Sequence, residues 1–115
     1  MKESLLRLTE KINIKGYKLI EVAGEFDLNE VDNFNSFFEN IKKENNKIIL
    51  DISKLEYFDS SGTGCFVRLH NDLQALNGSL ILYNPSEFIK DLFSISRLDS
   101  FLKIVYSKEE LDKII

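Results

Sequence analysis

The segment Asp59-Ser60-Ser61-Gly62-Thr63-Gly64 brings a carboxylate, two adjacent hydroxyls and two glycines into six residues. Small hydroxyls on an exposed turn are good phosphate acceptors for a kinase. Asp and Ser are also the residues that cap the first turn of a helix, and glycine lets backbone elements approach closely. The segment therefore predicts a helix start, a phosphorylation site, or both.

Enzymatic motifs fit the same segment poorly. The dinucleotide fingerprint requires a third glycine where Val67 stands, and no Gly-Lys-Ser/Thr follows for a nucleoside-triphosphate loop. A hydrolase nucleophile elbow needs glycine two residues before and after the serine, and neither Ser60 nor Ser61 has both. The single histidine, His70, lies about 15 Å further along the predicted helix, beyond hydrogen-bond reach of Ser60. We therefore expect a binding protein and not an enzyme.

Composition limits the partners and cofactors of the chain. The 115 residues are 43% hydrophobic and 30% charged, with a net charge of −4, which argues for one globular domain without a direct nucleic-acid partner. One Cys and one His exclude an internal disulfide and an ordinary zinc site, so we expect neither metal nor cofactor. The charged first residues, and the lack of an apolar run of about 20 residues, predict a soluble, cytoplasmic protein with no membrane partner.

Apolar periodicity predicts alternating strands and helices in the order β-β-α-β-α-β-α-β-α. Predicted strands cover residues 6–14, 17–22, 48–52, 80–83 and 101–106, and predicted helices cover 29–43, 59–76, 85–93 and 107–114. The first two strands form a hairpin about Lys15-Gly16, and the apolar run Ile48–Ile52 is typical of a central strand buried on both faces. The fold class is therefore α/β: one mixed sheet of about five strands, mostly parallel after the first hairpin, with about four helices.

Apolar residues at helical spacing are assigned to the core. Cys65 lies on such an apolar stripe and is interpreted as a small core residue, while His70 is interpreted as an ordinary helix position. In the first strand, Leu6, Leu8, Ile12 and Ile14 share one parity, which predicts a common buried face. The helical core residues are Phe34, Phe37, Phe38, Phe88, Ile89, Leu92 and Phe93.

The motif Phe58-Asp59-Ser60-Ser61-Gly62-Thr63-Gly64 resembles the signature of the bacterial anti-sigma factor antagonists, whose STAS domain is shared with sulphate transporters. The similarity extends to Gly24-Glu25-Phe26-Asp27, to the strand Ile48–Ile52, to Gly78-Ser79-Leu80 and to the segment 92–98. Two residues depart from the family pattern: Thr63 stands where Leu is commonest, and Arg97 replaces the usual Gly. The first departure bears on packing against a partner and the second on the turn before the last strand.

The resemblance implies a single STAS domain over residues 1–115 with a phosphorylation-controlled function. A cognate anti-sigma factor with serine-kinase activity would bind the protein and phosphorylate Ser60, the first Ser after the Asp. Phosphorylation would release this partner, and a serine phosphatase would reverse the step. The unphosphorylated protein would capture the kinase and so free a sigma factor for transcription.

The resemblance also implies a set of residues around the acceptor. Asp27 and Asp59 would lie beside Ser60, and Ser61 would serve mainly as a hydrogen-bonding group at the helix start. The remaining members of the partner-binding and switch surface are Gly62, Thr63 and Gly64. Two alternatives stay open: a STAS scaffold, transporter-associated domain or sensor-complex subunit without sigma-factor control, and a serine-dependent hydrolase.

Overall fold

The computed structural model of this chain describes residues 5–115. It contains one six-stranded mixed sheet, against which the helices pack. The strands are Leu6–Glu10 (β1), Lys18–Phe26 (β2), Lys47–Asp51 (β3), Leu55–Phe58 (β4), Ser79–Tyr83 (β5) and Lys103–Val105 (β6). The helices are Val31–Glu44 (α1), Ser60–Ala75 (α2), Glu87–Ile95 (α3) and Lys108–Ile114 (α4), and Leu28–Glu30 and Leu98–Ser100 form short 3-10 helices. In this described part of the chain, no helix has both the length and the apolar character to cross a membrane.

The strand order is β1-β2-β3-β5-β6, with β1 antiparallel to β2 and the other pairs parallel. The predicted α/β fold and its first hairpin are therefore confirmed. The strand β4 was not predicted from the sequence. It pairs with the end of β2, beyond the part of β2 that pairs with β3, so that Phe26 lies opposite Phe58. Because of this offset pairing, β2 and β4 end side by side at Phe26 and Phe58. The residues that follow the two strands therefore lie at the same edge of the sheet.

The core lies mainly between the sheet and the helices α1, α2 and α3. The central strand β3 is confirmed as buried on both faces, because Ile48, Ile49 and Leu50 are all inaccessible to solvent. Aromatic rings fill the core beneath the start of α2: Phe58 lies 5.7 Å from Phe66 and 5.0 Å from Phe93, measured between ring centroids. Each such buried side chain contributes about 1.5–3 kcal/mol, so this cluster fixes the start of α2 on the sheet.

Two sequence predictions of burial are wrong. The first strand ends at Glu10, because the polar run that follows offers no apolar anchor, and Ile12 is 80% exposed. Ile14 only makes an isolated bridge with Tyr17 across the predicted turn. On α3, Phe88 is exposed, because Ile89 and Phe93 take the face that meets the core and neighbouring helix positions point about 100° apart.

The turn before β6 forms despite the departure at Arg97. This residue adopts a left-handed conformation with φ of 62°, which glycine adopts without steric cost. Its carbonyl accepts a hydrogen bond from the Ser100 hydroxyl at 2.8 Å, and its N–H donates to the Ser94 carbonyl at 3.2 Å. The surrounding hydrogen bonds therefore hold an arginine in a backbone conformation suited to the glycine of the family pattern.

Candidate functional site

Asp59 begins the helix that carries the two serines. Its backbone is extended, and its carboxylate accepts the backbone N–H of Ser61 at 2.8 Å. The Thr63 N–H donates to the Asp59 carbonyl at 3.0 Å, which closes the first helical turn. The predicted helix start is thus confirmed, with Asp59 as the capping residue.

The structure brings Asp27 and Asp59 to the same edge of the sheet. Each follows directly on one of the paired residues Phe26 and Phe58, and the Asp59 N–H donates to the Phe26 carbonyl at 3.2 Å. The Asp27 carboxylate accepts the Asn29 N–H at 2.9 Å and so caps the 3-10 helix Leu28–Glu30. Asp27 and Asp59 are therefore half-buried and lie at the ends of adjacent strands. Ser60 is the next residue after Asp59 in the chain.

The two serines occupy different environments. Ser60 is the first residue of α2 and is exposed, whereas Ser61 is half-buried. Ser61 takes part in the helix start through its backbone N–H, while the cap itself is the Asp59 carboxylate. The hydroxyl of Ser60 is consequently the more accessible of the two.

Gly62 allows the close approach of backbone elements that was one of the two roles predicted for it. It is buried, and a Cβ atom there would lie 2.9 Å from Phe58 Cβ and 3.2 Å from the Phe26 ring. Gly62 therefore lies behind the surface of the site, where it allows α2 to approach the strands closely, and it is not itself exposed for contact with a partner. Gly64 is exposed instead, and a Cβ there would have no neighbouring atom within 4 Å.

An open, largely apolar groove of about 310 Å³ borders Ser60. Its lining residues are Phe58, Asp59, Ser60, Thr63, Leu92, Ile95 and Ser96. The Thr63 hydroxyl donates to the Asp59 carbonyl at 3.3 Å, while Ile95 is 80% exposed on the opposite helix. The groove thus joins the start of α2 to the end of α3, which are separated by about thirty residues in the chain.

Four groove residues were not predicted as site residues: Phe58 on β4, and Leu92, Ile95 and Ser96 at the end of α3. One signal could have found the two apolar residues on α3. The sequence of α3 has five apolar residues in nine, which is more than one buried face of a short helix can hold. Phe88, Leu92 and Ile95 follow at spacings of four and three, so they form a second apolar stripe along α3.

In the described part of the chain, the histidine lies far from Ser60. His70 is ten residues along the same helix, which is about 15 Å, and its ring packs against Phe101 with 5.0 Å between centroids. Cys65 is buried as predicted, and burial raises the pKa of its thiol, which disfavours the nucleophilic thiolate. Within residues 5–115, no group of three or more His, Cys, Asp or Glu side chains is arranged to hold a metal ion.

Comparison with known proteins identifies similar chains. The sequence model of the STAS domain matches residues 8–111. A putative anti-sigma factor antagonist of Thermotoga neapolitana is 34% identical over 59% of this chain and 60% of its own length. The anti-sigma-B factor antagonist of Listeria monocytogenes is 29% identical over 81% of this chain and 82% of its own length. Among solved structures, unphosphorylated SpoIIAA has a TM-score of 0.74 and 24% identity, covering 94% of this chain and 96% of its own.

Proposed function

The chain belongs to the STAS domain family, and from this membership we propose that it is an anti-sigma factor antagonist controlled by phosphorylation of Ser60. The resemblance stated from its motifs is confirmed by the family match, and its curated relatives carry the same name, anti-sigma factor antagonist. The match spans about 60% of the length of the Thermotoga relative. Partners and regulation are therefore proposed from the site itself.

The exposure of Ser60 is the observation that carries the proposal. A kinase must receive the acceptor hydroxyl in its own active site, and Ser60 stands exposed at the first position of α2. The Asp59 cap and the close packing of Gly62 against Phe58 hold the turn on its buried side. A partner can therefore bind a surface on which Ser60 is exposed and whose backbone is held by these contacts.

The groove beside Ser60 supports a protein partner rather than a small substrate. It is open and apolar, and along one side Ile95 is 80% exposed beside the half-buried Leu92. Exposed apolar surface bordered by polar groups is characteristic of protein interaction sites. We propose that the anti-sigma factor binds across this groove, with Thr63 and Gly64 at the interface and Ser60 near its centre.

Phosphorylation would weaken this contact by electrostatics. A phosphoserine adds about −1.5 to −2 charges next to the carboxylate of Asp59. One unit charge about 6 Å from a carboxylate gives about 3 kcal/mol of repulsion at an effective dielectric constant of 20. The helix dipole offsets only about 0.3–1 kcal/mol, and Asp59 already occupies the Ser61 N–H. In the free protein water screens this repulsion, whereas a partner that covers both charges excludes that water and removes the hydration of the phosphate. A net cost of about half the repulsion, ~1.4 kcal/mol, would lower affinity about tenfold.

The proposed cycle has two states. Unphosphorylated protein captures an anti-sigma factor with serine-kinase activity and thereby frees a sigma factor. Phosphorylation of Ser60 releases the kinase, and a serine phosphatase regenerates the capturing state. The related SpoIIAA of Bacillus has been solved in a phosphorylated form, which fits such a cycle. The proposed cycle implies that the protein acts in the cytoplasm. Its role in the cycle is that of a binding protein and phosphorylation substrate, and not that of an enzyme.

Phosphorylation by candidate anti-sigma kinases from the same genome tests the proposal. Each kinase is incubated with ATP and the wild type, Ser60→Ala or Ser61→Ala, and intact mass and phosphopeptide mapping report the product. We expect one phosphate on Ser60 in the wild type and in Ser61→Ala, and none in Ser60→Ala. Ser60→Ala should still bind the kinase, because only the acceptor hydroxyl is lost.

Two results would contradict the proposal. Phosphate found only on Ser61, with Ser60→Ala labelled normally, would show that the acceptor is Ser61 and not Ser60. Capture of no anti-sigma kinase by either the wild type or Ser60→Ala would favour a STAS scaffold without sigma-factor control. Ser61→Ala is the matched control, since it removes the adjacent hydroxyl and leaves the Asp59 cap on the backbone N–H in place.

A further inference from the structure

We propose that Glu30 is a positioning residue that holds Asp27 beside the phosphoacceptor turn, an inference that rests on the proposed function. Glu30 is a charged side chain with only 3% exposure. Burying a carboxylate is unfavourable unless hydrogen bonds compensate for the lost water. The bonds that compensate Glu30 show which parts of the chain it connects.

The carboxylate binds the start of β1. Its Oε2 accepts the Leu5 N–H and its Oε1 accepts the Leu6 N–H, each at 3.2 Å. The Asn33 side-chain amide adds support, because it donates to the Leu6 carbonyl at 3.2 Å and to Glu30 Oε1 at 3.5 Å. One carboxylate thus holds the consecutive amides of Leu5 and Leu6, where the edge strand β1 begins.

The backbone of Glu30 binds the turn that carries Asp27. Its N–H donates to the Asp27 carbonyl at 3.0 Å, and the Asp27 carboxylate accepts the Asn29 N–H at 2.9 Å. The strand end before Asp27 is bonded in turn to the site, because the Phe26 carbonyl accepts the Asp59 N–H at 3.2 Å. These hydrogen bonds, together with the Phe26–Asp27 peptide link, therefore connect β1 through Glu30 and Asp27 to Asp59, the cap of α2.

This arrangement separates two functions of the site. Ser60 is presented by the cap and packing of α2, whereas the place of Asp27 depends on the 3-10 turn that Glu30 anchors. Loosening this anchor should shift Asp27 relative to a bound partner without changing the acceptor itself. The expected effect is on affinity for the kinase and not on phosphoryl transfer within the complex.

The variant Glu30→Gln tests the inference. Glutamine is close in size and keeps one acceptor oxygen. Its NH₂ group is a donor, however, so it cannot accept the backbone N–H that the second oxygen of Glu30 accepts. We expect the KM for phosphorylation of Ser60 to rise about three- to tenfold, with kcat little changed. The control is Glu25→Gln, which removes the same charge from an exposed position on β2 and should leave the KM unchanged.

A double-mutant cycle tests whether Glu30 acts through Asp27. Asp27→Asn should itself raise the KM, and adding Glu30→Gln to that variant should raise it little further. A KM of folded Glu30→Gln equal to that of the wild type would overturn the inference. So would a full additional increase in the Asp27→Asn background. If Glu30→Gln does not fold, Asn33→Ala replaces it, with a smaller expected increase.

Amide hydrogen exchange separates this inference from the proposed function. Glu30→Gln should speed exchange of the Asn29 and Glu30 amides, which bond to Asp27, more than that of the Thr63 amide in α2. Unchanged exchange at both positions would overturn the positioning role. This measurement needs no kinase, so a wild type that no kinase phosphorylates would refute the proposed function while the positioning role is still decided.

Discussion

The two glycines at the start of α2 provide a matched pair of substitutions. Gly62→Ala places a methyl group 2.9 Å from Phe58 Cβ and 3.2 Å from the Phe26 ring, both in the buried aromatic core. Gly64→Ala places the same group where no atom lies within 4 Å. Both positions are in one helix, so the gain in helix propensity from alanine is similar. The difference in stability between the variants therefore measures the clash.

The expected magnitudes follow from this geometry. Gly64→Ala should raise the free energy of unfolding by about 0.5–1 kcal/mol, because alanine loses less backbone entropy than glycine in a helix. Gly62→Ala should lie about 1–3 kcal/mol below Gly64→Ala, the usual cost of overpacking a close-packed core. Urea denaturation followed by far-UV circular dichroism measures both. Equal stability of the two variants would refute the claim that close packing excludes a side chain at Gly62.

Partner binding should rank the two variants in the opposite order. The methyl group of Gly64→Ala lies on the exposed face one helical turn from Ser60, so it should weaken capture of the anti-sigma factor although the free protein is more stable. The folded fraction of Gly62→Ala should bind like the wild type, because its added methyl group is buried. Equilibrium binding of Ser60→Ala versions of both variants measures this without phosphorylation during the assay.

Three further outcomes are expected. Ile95→Ser should weaken capture of the kinase by about tenfold while changing stability by less than about 0.5 kcal/mol, since Ile95 is 80% exposed; isothermal titration and thermal melting measure the two effects. Arg97→Gly should stabilise the protein by about 1 kcal/mol, because glycine adopts the left-handed conformation without a Cβ clash, and a urea midpoint below that of the wild type would contradict this. Cys65 should react with iodoacetamide far more slowly in the native protein than in urea, because burial raises the pKa of its thiol; equal rates would contradict its placement in the core.

The parts of the fold that were predictable from the sequence have strong local signals. The continuous apolar run at Ile48–Ile52 indicated a central strand, and the Asp-Ser-Ser-Gly segment indicated a helix start, since both patterns act over a few residues. The strand β4 has no such signal, because two of its four residues, Glu56 and Tyr57, are exposed. It forms because β2 extends past β3 and leaves its backbone groups available for pairing.

The groove and the burial of Glu30 could not be predicted from local sequence patterns, because both depend on contacts between distant parts of the chain. The groove exists only where α3 returns beside α2, and the buried state of Glu30 depends on strand β1 more than twenty residues earlier. A glutamate just before an amphipathic helix is typical of an exposed first turn. Its burial is set by tertiary contacts with Leu5 and Leu6, which no spacing within the segment predicts.

The rigidity of the turn explains how a phosphate could act without a change of fold. Gly62 seats α2 on Phe58 and Phe26, and Asp59 holds the first helical N–H, so the backbone around Ser60 is fixed on its buried side. A new charge on the exposed side cannot be relieved by moving the helix without breaking these contacts. The repulsion from Asp59 therefore remains in the surface that a partner must cover. This repulsion is already present in the free folded protein, where water screens it. Binding affinity falls because a partner that covers both charges excludes that water and removes the hydration of the phosphate.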